Sequence, residues 1–454
     1  MSKVIESEYW DPKIETMPLK ELKEIQLKKI KELLIYAYNN SPFYRRRFDE
    51  AGVKPEDIKT LDDFRRKIPF FRKDDLRVEA EKTGDPFAGM LTVPFEELET
   101  IHSSTGTTGI PTFTAMTESE AEELAEAMIR YAWMMKHRPG TRHISLAAIG
   151  ITPFWHWWST IWGKGFGKIM GVEALGASLF GNVVGVPFFS ESYTKFPASH
   201  TLFIADYFPY VMEECAKKGV EPKDAMKIEY LFQAGEALTP HQRKRYIEKF
   251  NLKDFYDISG VSEPFVSSVE CYMHEGGHVW ADYWYVELID PKTGEPLEPD
   301  EPGKSRGEYV VTNLFMRSIP WIRYATEDFA WWSEDKCGCG RTHPRIRVLD
   351  RVMYVIKVKD KSIIPYDVRT VFEKHPETEE AAFNIIKYAE QMDVLRLRAS
   401  YNPALTKDSE ELKSRIIKSF KDMLGVDAEI EWVPYEKLEK ILHKLVRIVD
   451  LTKK

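Results

Sequence analysis

The chain of 454 residues is long enough for two or three domains with a large buried core. Its 72 acidic and 64 basic side chains leave a formal charge of −8, which argues against a protein that coats nucleic acid. Hydrophobic residues make up 43% and cysteines number only 4, which excludes a disordered chain and a disulfide-built scaffold.

The beginning of the sequence is polar, and no apolar run reaches the roughly 20 residues that a membrane-spanning helix needs. We therefore expect neither a signal peptide nor a membrane helix. With so few cysteines, the expected location is the cytoplasm, where thiols stay reduced.

The first two thirds of the chain mix helical and strand-like patterns. Residues 18–40 carry apolar side chains at a period near 3.6 and predict an amphipathic helix that ends before Pro42. Thr117 and Glu120 form a capping-box pattern ahead of an apolar stripe, and residues 284–315 predict hairpins. The mixture predicts a layered α/β architecture.

The last 100 residues or so have a different character and predict a small α+β domain. Two strand-like and two helix-like runs alternate there: 355–358, 368–375, 394–399 and 409–424. We place the junction within residues 342–351, with an N-terminal domain over 1–349 and a C-terminal domain over 350–454.

A run rich in glycine and hydroxyl groups precedes a strand-like segment at residue 112. It contains Ser104, Thr105, Gly106, Thr107, Thr108 and Gly109. The glycines allow a tight turn with exposed N–H groups, and the hydroxyls add donors, so the run predicts a strand–loop–strand phosphate clamp. On composition alone, a solvated turn is an equally good interpretation.

This run resembles the phosphate loop of the adenylate-forming superfamily, and the threonine after its proline resembles the phenylacetate-CoA ligase branch. Further segments resemble that branch in the same order: Ser41–Val53, Ala234–Ala237, Ile258–Glu263, Pro320–Asp328, Cys339–Arg345 and Lys444–Asp450. The resemblance covers essentially the whole chain. It implies an α/β fold with a large N-terminal layered adenylation domain and a small, mobile α+β C-terminal domain.

The same resemblance implies ATP-dependent, AMP-forming activation of an aromatic or hydrophobic carboxylic acid to an acyl-adenylate, followed by thioester formation with coenzyme A. The expected partners are the small-molecule acid, ATP and CoA, with no nucleic acid and no membrane. Family likeness also makes a homodimer reasonable.

The resemblance assigns roles to individual residues. Lys444 is the expected catalytic cation, which neutralises charge on the carboxylate and α-phosphate, and Glu263 is the expected Mg²⁺ ligand. Besides the phosphate loop, the expected nucleotide-binding residues are Gly235, Glu236, Ser259, Asp328 and Arg351. Taken without the resemblance, Lys444 and Arg351 are more simply surface residues, Asp328 is a turn former, and Glu263 is a capping or salt-bridged glutamate.

The resemblance implies an acyl pocket around an aromatic run and a glycine: Phe154, Trp155, Trp158 and Gly260. Large rings there would wall an apolar slot for a bulky acid. Packing in the core or at a dimer interface is the competing interpretation for most of the rings.

Several positions depart from the branch pattern. Ser259 replaces an aromatic residue, Ala325 replaces arginine, Glu327 replaces glycine, and the run Lys359–Ser362 has lost a glycine. These changes leave two alternatives to the leading hypothesis: adenylation with an acceptor other than CoA, and a degenerate nucleotide-binding protein.

A second group of residues predicts a structural zinc site within residues 271–339. Cys337 and Cys339 lie in a tight turn, and Cys271 precedes them by about 66 positions. Three thiolates and one imidazole make a tetrahedral zinc site. The resemblance favours His278 over His274 as the fourth ligand, whereas unrelated thiols and histidines are the alternative.

Overall fold

The computed structural model describes residues 7–103, 112–139, 141, 143–145, 175–176, 199–204, 212, 215–225, 228–441 and 444–452. The chain divides into two compact units. The first contains Met1–Gly235 and Ile247–Val348, and the second contains Glu236–Tyr246 and Leu349–Lys454.

The described helices are α1 Pro12–Glu15, α2 Leu19–Asn40, α3 Pro42–Glu50, α4 Leu61–Lys67, α5 Lys73–Thr83, α6 Glu118–Met134, α7 Pro222–Ala225, α8 Pro240–Phe250, α9 Pro365–Phe372 and α10 Ser409–Leu424. None of the helices that the structure describes has the length and apolar character needed to span a bilayer.

The strands before the C-terminal tail are β1 Leu98–Ser103, β2 Phe113–Thr117, β3 His143–Ser145, β4 Leu175–Gly176, β5 His200–Ile204, β6 Tyr230–Ala234, β7 Asp254–Val261, β8 Val266–Glu270, β9 Gly277–His278, β10 Trp284–Ile289, β11 Pro296–Leu297, β12 Arg306–Asn313, β13 Tyr324–Ser333 and β14 Arg345–Arg351. Those of the tail are β15 Ile356–Val358, β16 Lys361–Ile363, β17 Phe383–Lys387, β18 Gln391–Met392, β19 Leu395–Ala399, β20 Ala428–Trp432, β21 Lys440–Ile441, β22 Lys444–Leu445 and β23 Ile448–Asp450.

Among the described residues, a mixed sheet of 12 strands dominates the first unit, in the order β11-β10-β12-β13-β14-β9-β8-β7-β6-β5-β3-β4. Strands β3 to β7 are parallel to one another, whereas β7 and β8 are antiparallel. In open α/β sheets, ligands bind outside the carboxyl ends of the parallel strands. The ends of β5, β6 and β7 therefore mark the region in which a site is expected.

The predicted N-terminal helix is confirmed as α2, which buries its apolar face against the core of the first unit. Its fully buried positions include Ile30, Leu33, Leu34 and Ala37. Ser41 ends α2 and caps α3, because its hydroxyl accepts a hydrogen bond from the N–H of Tyr44.

The capping box at the start of α6 is also confirmed. The N–H of Thr117 donates to the Glu120 carboxylate at 2.9 Å, and the Thr117 hydroxyl accepts from the Glu120 N–H at 3.4 Å. The same carboxylate accepts from the N–H groups of Arg317 and Ser318, at 2.6 and 2.9 Å. The cap therefore also ties α6 to the segment that follows β12.

The predicted hairpins are present as the antiparallel pairs of β10 with β11 and with β12. In the second unit, β20-β19-β17-β23 and β16-β15-β18 form two small sheets that pack with α9 and α10 around one apolar core. The helix α10 has the predicted bounds, and α9 begins three residues earlier than predicted, at Pro365. The expected α/β fold class is confirmed.

Candidate functional site

Glu263 lies on the hairpin between β7 and β8, at the carboxyl end of the parallel part of the sheet. The strands pair up to Val261 and Val266, so the loop is Ser262–Phe265. Phe265 has left-handed backbone at φ +52°, and its N–H donates to the carbonyl of the first loop residue at 3.3 Å. The loop holds Glu263 largely buried, with 6% of its surface exposed.

Three side chains anchor the main chain of this loop. The hydroxyl of Thr114, on β2, donates to the Glu263 carbonyl at 3.1 Å. The Asn313 amide and the Trp284 indole donate to the Pro264 carbonyl at 2.7 and 3.1 Å. These bonds hold the main chain and leave the Glu263 carboxylate to interact with a cation.

Lys73 supplies a cation at this position. Its Nζ atom lies 3.3 Å from the Glu263 carboxylate, and the two side chains are 18% and 8% exposed. Sequence reasoning missed Lys73, because the charged run Arg72–Asp75 at the start of α5 is typical of a solvated helix end. A lysine here has no local signal, since its partner lies in a distant hairpin.

Asp328 lies at a bulge of β13. The register against β12 shifts around Tyr309, which faces the three residues Thr326–Asp328. The Thr326 hydroxyl donates to the Tyr309 carbonyl at 2.9 Å and accepts from the Asp328 N–H at 3.2 Å. Glu327 has left-handed backbone at φ +62°, at the position where the family pattern has glycine. The bulge thus sets the direction of Asp328.

Tyr324 shares an electrostatic environment with both carboxylates. Burial, followed by the negative charges of Glu263 and Asp328, raises the pKa of Tyr324 well above its ordinary value. The phenol is therefore neutral and able to donate a hydrogen bond. The structure thus brings Glu263 and Asp328, two residues singled out from the sequence, to one region of the first unit.

Two further predicted segments lie at the carboxyl ends of neighbouring parallel strands. Gly235 directly follows β6 and has φ +119°, a backbone conformation that favours glycine. Near the end of β7, Ser259 and Gly260 face Ser268 and Ser267, and the hydroxyls of Ser259 and Ser268 are 2.6 Å apart. A pair of hydroxyls therefore stands where the resemblance implies an aromatic ring.

Glu236 is held inside the second unit by two arginines. Its carboxylate lies 3.0 Å from Arg369 Nη1 and 3.6 Å from Arg447 Nη2. These partners already neutralise the carboxylate. The nucleotide-binding role of Glu236 stays a prediction.

Arg351 ends β14 with an exposed side chain. Its N–H donates to the carboxylate of Asp350 at 3.0 Å. Burial raises the pKa of Asp350 to about 6. The carboxyl group directly before the predicted ribose- and phosphate-binding arginine therefore has a raised pKa.

Lys444 begins β22, and its main chain pairs with Ile441 of β21. Strand β21 precedes this lysine, and the nearest helical turn among the described residues is the 3-10 helix Tyr435–Lys437. A short hairpin, therefore, carries the predicted catalytic lysine.

The predicted phosphate loop stands between two paired strands, as expected from the sequence, because Ser103 of β1 faces Phe113 of β2. Two groups of predicted residues lie outside the described residues. They are the loop residues Ser104, Thr105, Gly106, Thr107, Thr108 and Gly109, and the pocket residues Phe154, Trp155 and Trp158.

The predicted metal ligands do meet. Atoms able to bind a metal in Cys271, His278, Cys337 and Cys339 all lie within 4.8 Å of one another, and all four residues are buried. The Sγ atoms of Cys271 and Cys337 are 3.7 Å apart, and Cys339 Sγ is 3.4 Å from His278 Nε2. Hydrogen bonds from the other two thiols hold the pKa of Cys339 far below its ordinary value, which favours a thiolate.

The structure also separates the two candidate histidines. His278 Nδ1 contacts the carbonyl of His343 at 3.2 Å, which turns Nε2 toward the sulfur atoms. His274 is occupied elsewhere, with Nε2 2.9 Å from Asp254 and Nδ1 3.5 Å from Glu270. His278, and not His274, therefore belongs to the cluster.

Comparisons with known proteins agree with these motifs. A family model described as the AMP-binding enzyme C-terminal domain matches residues 361–452. Phenylacetate-coenzyme A ligase of Thermus thermophilus is 30% identical over 98% of this chain and 100% of its own length. Phenylacetate-coenzyme A ligase of Aromatoleum evansii is 28% identical over 96% of each chain.

Among solved structures, 2-hydroxyisobutyryl-CoA ligase in the postadenylation state, in complex with R3-HIB-AMP, is similar along nearly its whole length. It is 25% identical and has a TM-score of 0.83, with 98% of this chain and 93% of that chain covered.

Proposed function

The chain belongs to the phenylacetate-coenzyme A ligase family of adenylate-forming enzymes, and on that premise we propose that it is an ATP-dependent, AMP-forming acid–CoA ligase. It activates a carboxylic acid to an acyl-adenylate with release of pyrophosphate. It then transfers the acyl group to the thiol of coenzyme A with release of AMP. We propose an aromatic or hydrophobic acid, because the run that contains Phe154, Trp155 and Trp158 is rich in large rings.

The observation that carries the proposal is the hydrogen bond of 3.1 Å between the Thr114 hydroxyl and the Glu263 carbonyl. Thr114 stands on β2, the strand that leaves the phosphate loop. A triphosphate held by that loop would therefore lie near the Glu263 carboxylate. A carboxylate in this position is suited to hold a Mg²⁺ ion that bridges phosphate oxygens.

The other predicted residues complete the proposed site. Asp328 accepts both ribose hydroxyls, with Gly235, Glu236, Ser259 and Arg351 as further nucleotide contacts. Gly260 borders the acid pocket. Residues 350–454 act as a mobile domain that presents Lys444 for the adenylation step, in which its ammonium group neutralises developing negative charge.

We also propose that the cysteine–histidine cluster holds a structural zinc ion. In a tetrahedral site with Zn–S bonds of about 2.3 Å, neighbouring sulfur atoms lie about 3.8 Å apart. The separation of 3.7 Å between the sulfur atoms of Cys271 and Cys337 fits that geometry. Three sulfurs and one imidazole nitrogen are also the donors that zinc prefers. A cytoplasmic location and a homodimer stay predictions from the sequence.

The test is ATP–pyrophosphate exchange with a panel of aromatic and aliphatic acids, followed by measurement of CoA-dependent thioester. We expect Lys444→Ala to lower exchange by about a hundredfold or more. Lys437→Ala is the matched control, because Lys437 is an exposed lysine of the same region. Release of AMP without formation of a CoA thioester would indicate an acceptor other than CoA. Absence of ATP–pyrophosphate exchange with every acid tested would reject the proposal.

A further inference from the structure

Arg72 and Glu308 form a bidentate ion pair at the edge of the proposed nucleotide site. Arg72 Nε lies 2.9 Å from Glu308 Oε1, and Nη2 lies 2.5 Å from Oε2. The Glu308 side chain is 1% exposed, whereas that of Arg72 is 35% exposed. Because the guanidinium donates to both carboxylate oxygens, it fixes the direction as well as the position of the carboxylate.

Glu308 stands next to the bulge that carries Asp328. It pairs with Phe329 of β13, and the following residue of β12, Tyr309, is the one that faces Thr326–Asp328. A displacement of Glu308 would therefore move Phe329, the residue that directly follows Asp328. The position of Glu308 thus helps to determine where the Asp328 carboxylate points.

The segment that contains Arg72 also holds the other end of the bulge. Phe71 forms a parallel bridge with Tyr324, its N–H donates to the Arg323 carbonyl at 3.2 Å, and its carbonyl accepts from the Ala325 N–H at 2.8 Å. The bulge begins directly after Ala325. Phe71 and Arg72 are neighbours in sequence. One short segment therefore contacts β13 before Thr326 directly, through Phe71, and supports it after Asp328 indirectly, through the ion pair of Arg72 with Glu308.

The negative charge of Glu327, the strained residue of the bulge, also acts on Arg72. The bond to Glu308, with the negative charges of Glu308 and Glu327, raises the pKa of Arg72. Glu327 has the left-handed backbone at φ +62° that glycine adopts without steric cost. A bulge with a glutamate at this position depends more on external support than one with glycine.

We propose that Arg72 is a positioning residue of the nucleotide site: by clamping Glu308, it holds the bulge so that Asp328 presents its carboxylate to the ribose hydroxyls. The inference rests on the proposed nucleotide-binding role of Asp328. It goes beyond a stabilising ion pair because it predicts an effect on ribose recognition specifically.

The test compares the binding of ATP and 3′-deoxyATP, with Mg²⁺, by calorimetry. In the unmodified protein we expect ATP to bind about tenfold more tightly, because 3′-deoxyATP lacks one hydrogen bond to a charged group. In the double variant Arg72→Gln/Glu308→Gln, which leaves no buried carboxylate unpaired, we expect the preference to fall below about threefold. The affinity for 3′-deoxyATP should change little.

Arg72→Lys keeps the charge and loses the bidentate geometry, so we expect an intermediate preference, and this variant serves if the double variant does not fold. Arg66→Gln is the matched control, because Arg66 pairs with Asp62 at 2.9 Å on the exposed surface of α4. Thermal unfolding verifies that each variant is folded.

An unchanged preference for ATP in a folded double variant would overturn the inference and leave the role of Asp328 intact. Equal loss of both nucleotides would also overturn it, since positioning of Asp328 affects the ribose contact alone. No preference in the unmodified protein would overturn the proposed role of Asp328, and this inference with it.

Discussion

The phenol of Tyr9 donates a hydrogen bond of 2.8 Å to the main-chain carbonyl of Cys339, which lies 330 positions further along the chain. Gly340 follows in left-handed backbone at φ +86°, and a Cβ atom there would lie 2.3 Å from the Tyr9 hydroxyl. Arg341 then forms a buried ion pair with Glu15 at 2.8 Å. The N-terminal residues therefore rest on the loop that supplies two of the four cluster donors.

This contact links the proposed zinc site to the order of the N-terminal segment. We expect about one zinc per chain, and we expect Cys271→Ser to release it and to lower the free energy of unfolding by about 2 kcal/mol or more. Hydrogen exchange of residues 8–15 should accelerate in this variant. Metal analysis and exchange mass spectrometry measure the two effects.

Cys215→Ser is the control for this prediction, because Cys215 is a buried cysteine outside the cluster. It should keep the zinc and the protection of the N-terminal segment. A protein purified without chelator that holds less than about 0.2 zinc per chain would contradict the zinc site.

Lys73→Met removes the cation beside Glu263. Both side chains of the pair are mostly buried, so we expect the unpaired carboxylate to lower the free energy of unfolding by about 1 to 3 kcal/mol. Saturating Mg²⁺ and ATP should recover most of this loss, because a divalent cation then takes the place of the ammonium group. Urea unfolding with and without Mg²⁺ and ATP measures the difference.

The control for Lys73→Met is Lys82→Met, which removes an exposed lysine from the same helix. It should cost less than about 0.5 kcal/mol under both conditions. A loss in Lys73→Met that Mg²⁺ and ATP do not reduce would mean that no cation site exists at Glu263.

Ser259→Tyr introduces a ring at the position where the resemblance implies an aromatic residue. Stacking on adenine contributes about 1 to 3 kcal/mol, and loss of the hydroxyl bond to Ser268 offsets about 1 kcal/mol of it. We expect tighter ATP binding by about threefold to tenfold, measured by calorimetry. Ser268→Ala removes the hydroxyl bond without adding a ring, and ATP binding by Ser259→Tyr no tighter than by this variant would refute the stacking position.

Glu373 makes the stability of the second unit depend on pH. Its carboxylate accepts a hydrogen bond from the Thr239 hydroxyl, and burial raises its pKa from 4.5 to about 7. Because the folded state holds the proton more tightly than the unfolded state, the free energy of unfolding falls as pH rises from about 4.5 to about 7.

Glu373→Gln imitates the protonated form and keeps an acceptor for Thr239. We expect the variant to be more stable than the unmodified protein by about 1 to 3 kcal/mol at pH 8, and equally stable near pH 4. Urea unfolding across this pH range is the measurement. The exposed Glu436→Gln should show no such dependence, and equal curves for Glu373→Gln and the unmodified protein would disprove the raised pKa.

Local pattern was enough to predict several elements of this fold. The period of apolar residues predicted α2 and α10, and the residue types at Thr117 and Glu120 predicted a cap. These features depend on neighbours within one or two helical turns, so a short window of sequence contains their physical cause. The ordered motifs likewise pointed to the family without any knowledge of the packing.

Tertiary structure decided which side chains meet. The resemblance favoured His278 over His274, and the packing of β9 against β14 is what places His278 among the sulfur atoms. Arg72 and Lys73 looked like solvated charges, because the carboxylate that Arg72 binds lies 236 positions away on another strand. Register and burial bring such groups together, and neither is encoded in the residues beside them.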